Sequence, residues 1–273
     1  MTNRQSLAVK PFASSSTCSA TIRHGWPRLS QKKIKETDAI FDVVQDVKAE
    51  AEASDTELLV SLDTKAVVKV GDFSRKGMTR VGTQALDHDF GAEETVTPVG
   101  ILLPTHDDLR IFMATSKVTS DCIVDCIDTW WTDDQLRFPE VTRLTLLQDN
   151  GPENSGRRTQ FLKRMVDFVQ QHRIDVRLIY YPPYHSKYNP IERCWGALER
   201  HWNGSLLDTI DTVVQFAKTM TWKGAHPTVS LVKKTYATGV KICKSAMKAV
   251  EAKLHRREGL EPWHIDIKYQ PNG

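Results

Sequence analysis

The sequence predicts a mixed α/β sheet flanked by helices, ending in a long C-terminal helix, and three observations carry that prediction. Elements follow the order β-β-β-α-β-α-β-α between about Leu58 and Trp202, the pattern of a sheet that starts antiparallel and continues through helical crossovers. The strand candidates are short apolar runs, while the helix candidates repeat apolar residues at intervals of three and four. The 273 residues are 40% hydrophobic and 26% charged, enough for a sizeable core and unlike a disordered chain.

Residues 1–35 read as a poorly ordered arm, because Ser14-Ser15-Ser16-Thr17 and two prolines leave no sustained period. Residues 36–55 form a linking helix that starts near Thr37 or Asp38 and sets Ile40, Phe41, Val44 and Val47 on one face. Leu58–Leu62 is a strand ending at Asp63-Thr64, and Ala66–Val70 continues it. Gly71–Gly82 is polar and glycine-bearing, a hairpin or loop. Val96–Leu103 and Leu109–Thr115 are two further strands joined by a turn. Ser120-Asp121 caps a helix facing the core with Ile123, Ile127 and a tryptophan, Trp130 or Trp131. Thr142–Gln148 is a strand closed by Asp149-Asn150-Gly151-Pro152, and Ser155 opens a helix with Phe161, Met165, Phe168 and Val169 inward. Val176–Tyr180 is the next strand. The loop 181–189 leads into a helix with Asn189 as N-cap and Pro190 as its first residue.

Residues 211–273 read as a helical extension. Within it, 228–256 form one long helix whose seam is Val232, Tyr236, Val240, Cys243, Met247, Val250 and Leu254. That seam packs on the domain or on a second copy, as a homodimer would; Gly239 weighs against an unbroken helix.

The five cysteines (Cys18, Cys122, Cys126, Cys194 and Cys243) include no C-x-x-C pair, so neither a disulfide framework nor a zinc ribbon is indicated, and a reduced cytoplasmic setting is the default. No apolar run reaches the ~18 residues of a membrane span. The net charge of +3 conceals an asymmetry: residues 1–35 hold seven basic residues and no acid, and 218–257 hold ten against the single acid Glu251. An acidic middle between basic flanks fits a catalytic centre with arms for a polyanion, although solvated surface charge explains the flanks equally well.

Three carboxylates stand at element ends. Asp63 and Asp149 close two strands, and Glu192 lies in the first turn of the helix after Pro190, with Ile191, Trp195, Leu198 and Trp202 as its buried stripe. Each alone has an ordinary explanation, as a turn residue or a helix-start acid. Together they make a cluster that repels itself unless divalent cations neutralise it. Hard oxygen ligands favour Mg²⁺ or Mn²⁺, and two such ions would clamp the attacking and leaving oxygens of a phosphoryl transfer.

The blocks S-L-D-T-K (61–65), L-L-Q-D-N-G-P-E-N (146–154) and Y-Y-P-P-Y-H-S-K-Y-N-P-I-E-R-C-W-G (180–196) resemble the catalytic blocks of insertion-sequence DDE transposases, in particular the Rhodopirellula-type transposase DDE domain. The resemblance runs from about Lys32 to Ile267. It implies an RNase H-like fold over 56–210, with Asp63, Asp149 and Glu192 as the metal-binding triad for two Mg²⁺ or Mn²⁺ ions. It also implies double-stranded DNA as partner, cleavage at transposon ends, strand transfer by the freed 3′-OH, and a bacterial, nucleoid-associated location. Family members carry a helix-turn-helix region ahead of this domain. Residues 1–35 are too short to supply one, so the expectation is an N-terminally truncated copy. A nuclease without strand transfer and an inactive DNA-binding remnant are the alternatives.

Around the triad, the candidate DNA contacts are Arg75 and Lys76 in the glycine-bearing loop, Arg157 and Arg158 after Asp149, His185 and Lys187 before Glu192, and the stripe Lys241, Lys244 and Lys248. Trp195 and Trp202 read as core.

Overall fold

The computed structural model describes residues 34–73 and 94–271. The basic arm up to residue 33, and Arg75, Lys76 and the rest of the expected loop from residue 74, lie outside the described residues.

Two strands with near-continuous apolar runs sit at the centre. These are β1 (Glu57–Thr64) and β5 (Arg143–Asp149), each with five consecutive buried residues, as strands covered on both faces require. β1 pairs antiparallel with β3 (Glu94–Leu103) and parallel with β5, in the register Leu62↔Gln148. β3 continues antiparallel to β4 (Asp108–Ala114), and β5 continues parallel to β6 (Asp175–Tyr181). A short β2 (Val68–Val70) pairs with the start of β3. This core is the mixed sheet expected from the sequence. Three later strands extend it: β7 (Thr228–Val232) beside β4, and β9 (His264–Ile267) between β6 and β8 (Leu254–Arg256).

Helices cover both faces. Leu58, Val60 and Leu62 of β1 and Leu144 and Leu146 of β5 point into a core shared with α2 (Ser120–Asp134) and α3 (Thr159–His172). Leu59 and Leu147 point the other way, onto α1 (Thr37–Glu52), whose Ile40, Val43, Val44 and Val47 are buried. On that face, nearer β3 and β4, lie α4 (Glu192–Trp202) and α5 (Ile210–Thr219). The two-residue period puts Asp63 with Leu59, and Asp149 with Leu147, on the α1 and α4 side. The described residues make one compact unit.

The long C-terminal helix does not exist. Thr228–Val232 is a β-branched run that pairs parallel with β4. Residues 233–243 are irregular, and only Lys244–Glu251 (α6) is helical. Gly239 sits at φ +70°, a left-handed conformation that no α-helix accommodates. Lys234 Nζ and Tyr236 Oη bind Asp125 on α2, at 2.6 and 3.1 Å, which offers this segment tertiary partners that a helix would forgo. The seam expected to pair two copies is thereby divided among a strand, a loop and a two-turn helix. α3 also begins at Thr159, four residues later than expected, so Arg157 and Arg158 precede it. Among the described residues, no helix is long and apolar enough to cross a membrane.

Candidate active site

Asp63 and Asp149 end adjacent parallel strands, where loops diverge and α/β sheets open their clefts. Both line one cleft of about 340 Å³, with Thr64, Val118, Gly151 and Glu153 around them. Burial, and then the charge of Glu192, push Asp63 up to about 6, against the opposing pull of a hydrogen bond from Trp195. Burial, and then the charges of Asp63 and Glu192, push Asp149 up to about 7. Three negative charges therefore act on one another across this end of the sheet. Glu192 is half-buried at the first turn of α4, a position that the helix dipole favours for an acid. Among the described residues, no three His, Cys, Asp or Glu side chains stand close enough to hold a metal ion as a group.

The donor set suits a hard cation. Asp149 Oδ1 is buried without a hydrogen-bond partner, which is costly unless something cationic meets it. Its neighbours commit elsewhere: Asn154 Nδ2 donates to Gln148 Oε1 and to the Asp149 carbonyl, both at 3.0 Å. Two carboxylates with raised protonation and one orphaned oxygen match the oxygen-only preference of Mg²⁺ or Mn²⁺.

Glu192 stands at the start of α4, and three residues, Asn189, Ser61 and Trp195, tie that helix to β1. Asn189, 1% exposed, accepts from Ser61 Oγ at 2.5 Å and donates to the Leu62 carbonyl at 3.0 Å. Ser61 Oγ in turn accepts from the Ile191 backbone N–H at 3.1 Å. These bonds pin the start of α4 to β1, two residues before Asp63. Asn189 was expected as the N-cap with Pro190 as first helical residue, but α4 begins at Glu192 with Ile191 as its N-cap, and the Asn189 side chain is spent on β1 instead. Trp195, read as core, is indeed 5% exposed, yet its Nε1 donates to Asp63 Oδ2 at 2.7 Å.

The expected DNA contacts divide. Arg157, Lys187, Lys241, Lys244 and Lys248 are exposed, the last two on α6 and Lys241 in the irregular segment before it. Arg158 is engaged with Glu153 Oε2 at 3.2 Å. His185 is buried at 3% exposure, with Nδ1 2.7 Å from the Pro183 carbonyl and its ring edge-on to Phe41. It shapes the loop before α4 from inside, and Lys187 carries that loop's exposed cation. A larger groove of about 880 Å³ lies beside α5 and β7, with mixed charges from Glu94, Asp211, Lys218 and Lys233; none of the three acids lines it.

Solved structures that this chain resembles overall include a Mos1 transposase paired-end complex with left transposon end, at 12% identity and a TM-score of 0.49, covering 71% of this chain and 57% of that one. A Mos1 mariner paired end complex with Mn is similar at 11% identity and a TM-score of 0.48, covering 68% and 55%. The chain thus spans little more than half the length of these transposases. No curated protein matches it in sequence. The sequence profile of the Rhodopirellula transposase DDE domain matches residues 21–269, nearly the whole chain, and the chain belongs to that family.

Proposed function

We propose that this chain is the catalytic part of a DNA transposase, which cuts double-stranded DNA at transposon ends and joins the freed 3′-OH to a target. The observation that carries the reading is the paired aspartates at neighbouring strand ends, one with a buried, unpartnered oxygen, in a family of transposase DDE domains. Asp63, Asp149 and Glu192 would hold two Mg²⁺ or Mn²⁺ ions. When bound, such ions lower the pKa of the attacking water or 3′-hydroxyl and stabilise charge on the transferring phosphate. The chain's own contribution is placement. β1 and β5 hold the two aspartates side by side, and the Ser61–Asn189 bond sets α4, with Glu192, against β1. The exposed Arg157, Lys187, Lys241, Lys244 and Lys248 would neutralise DNA phosphates, whereas Arg158 and His185 would act only by supporting the loops that carry their neighbours.

The test is cleavage and strand transfer on a duplex bearing the element's own ends, with Mg²⁺ or Mn²⁺ and with a pre-nicked end as a second substrate. Asp63→Asn, Asp149→Asn and Glu192→Gln should each lower cleavage at least about a thousandfold, the scale of several kcal/mol of lost transition-state stabilisation. Full cleavage by any one of them would remove that residue from the site. Cleavage without joining would instead describe a nuclease.

A further inference from the structure

We propose that Trp195 is the positioning residue of the first acid: its indole N–H occupies one carboxylate oxygen of Asp63, so that Asp63 serves the cleft through the other. The proposal rests on the reading of Asp63 as a metal-binding acid. The indole nitrogen lies 2.7 Å from Asp63 Oδ2 in a nearly closed environment. Indole is a donor only and carries no charge. It can fix a carboxylate's rotamer without neutralising the negative field that a cation needs, as an arginine or lysine in its place would. The nearby cation, Lys65, is turned to Glu199 at 2.5 Å.

Space for the indole is provided on the far side. Gly100 on β3 pairs in register with Asp63. A Cβ there would come 2.5 Å from Trp195 Cη2 and 2.6 Å from Ile191 Cδ1, closer than real Cβ contacts occur. The missing side chain at Gly100 thus lets the ring lie over β3 and reach the strand beyond it. The bond also spans two elements of the site. Trp195 stands three residues after Glu192 on α4, about one turn along the same side of the helix. Holding Asp63 therefore also holds the helix that carries the third acid. A Trp that only fills space would make neither the bond nor the coupling.

The experiment uses the full chain labelled with ¹⁵N on its tryptophan indoles, seven in number, with the Trp195 resonance assigned by Trp195→Phe. Asp63→Asn should shift that resonance, and Mn²⁺ alone, added in small steps, should broaden it before the other six. This arm needs no turnover. In cleavage assays Trp195→Phe should lose about tenfold to a hundredfold, the scale of a misplaced catalytic group, while melting within a few degrees of the parent. Gly100→Ala, which displaces the ring, should cost about as much alone and add little in the Trp195→Phe background. An indole resonance indifferent to both Asp63→Asn and Mn²⁺, or parental cleavage by Trp195→Phe, would overturn the proposal. Failure of the underlying reading is distinct, because Asp63→Asn and Asp149→Asn would then cleave normally with Trp195 intact.

Discussion

Asp63 and Asp149 end neighbouring strands and face the same cleft, yet the protein treats them differently. Around Asp63 the chain is braced: Ser61, Asn189 and the Ile191 N–H tie β1 to α4, and the Trp195 indole takes one carboxylate oxygen. Around Asp149 it is open. One oxygen is buried and unpartnered, and the turn that follows is tied back through Asn154. The braced side fixes a geometry and the open side keeps a polar group in need. A site that must bind cations combines both, because a fully satisfied acid has little left to offer and an unsupported one has no defined position.

The largest effect should come from removing the brace. Asn189→Ala leaves the Ser61 hydroxyl and the Leu62 carbonyl buried with fewer partners, a loss of about 2–3 kcal/mol. Melting should fall by about 5–10 °C for a domain of this size. Cleavage below that temperature should drop up to about a hundredfold, because Glu192 loses its register against Asp63. Calorimetry and cleavage on one preparation check both. An active and equally stable Asn189→Ala would mean that the brace sets nothing.

A smaller effect, opposite in sign, should appear on the open side. Both aspartates have folded-state pKa values above the usual 3.8, at about 6 and about 7. In the metal-free protein the favourable, protonated state is therefore complete below about pH 4 and is lost as pH rises through 6 to 7. Asp149→Asn should raise the melting temperature at pH 8 by a few degrees and change it little at pH 4. Asp63→Asn should gain less, because Trp195 already supports that carboxylate. Melting curves at the two pH values, with chelator present, decide; equal gains for both would erase the contrast.

The smallest effect belongs to the loop after β5. Asn154→Ala removes its tie to Gln148 and the Asp149 carbonyl, about 1 kcal/mol. Protease cutting within 150–158 should become faster, with global melting lowered by only a few degrees. An unchanged cutting rate would show that the turn is held by other means.

Much of this was legible in the sequence, for identifiable reasons. The strands β1, β3, β4, β5 and β6 announced themselves because buried strands leave uninterrupted apolar runs, and α1 and α4 because one face alone is buried. The positions of the three acids at element ends were legible, although each alone has an ordinary explanation and only their combination, within blocks that resemble transposase catalytic blocks, suggested a site. The 228–256 region was misread because its apolar spacing of three and four also arises when a strand, a loop and a short helix each bury a few residues. Only the pairing of Thr228–Val232 with β4 and the Asp125 contacts of Lys234 and Tyr236 distinguish the two. The contacts of His185, expected on DNA, and the bond of Trp195, expected only as core, were not legible for a related reason. A ring buried against Phe41, or an indole bonded to a carboxylate on another element, leaves no local periodicity.

The C-terminal strand β9 has a kinetic consequence. β6 joins β5 soon after α3 forms, but its other edge is covered only when His264–Ile267 returns to it from far along the chain. Such a distant pairing closes slowly, and until then β6 presents an unpaired row of backbone groups to any strand that meets it. During synthesis the sheet that carries both aspartates must wait until His264–Ile267 has been made. A reading-frame break between Trp202 and Leu254 would release a polypeptide with both aspartates and Glu192 present and an open, adhesive sheet edge, so loss of β9 should be seen first as aggregation.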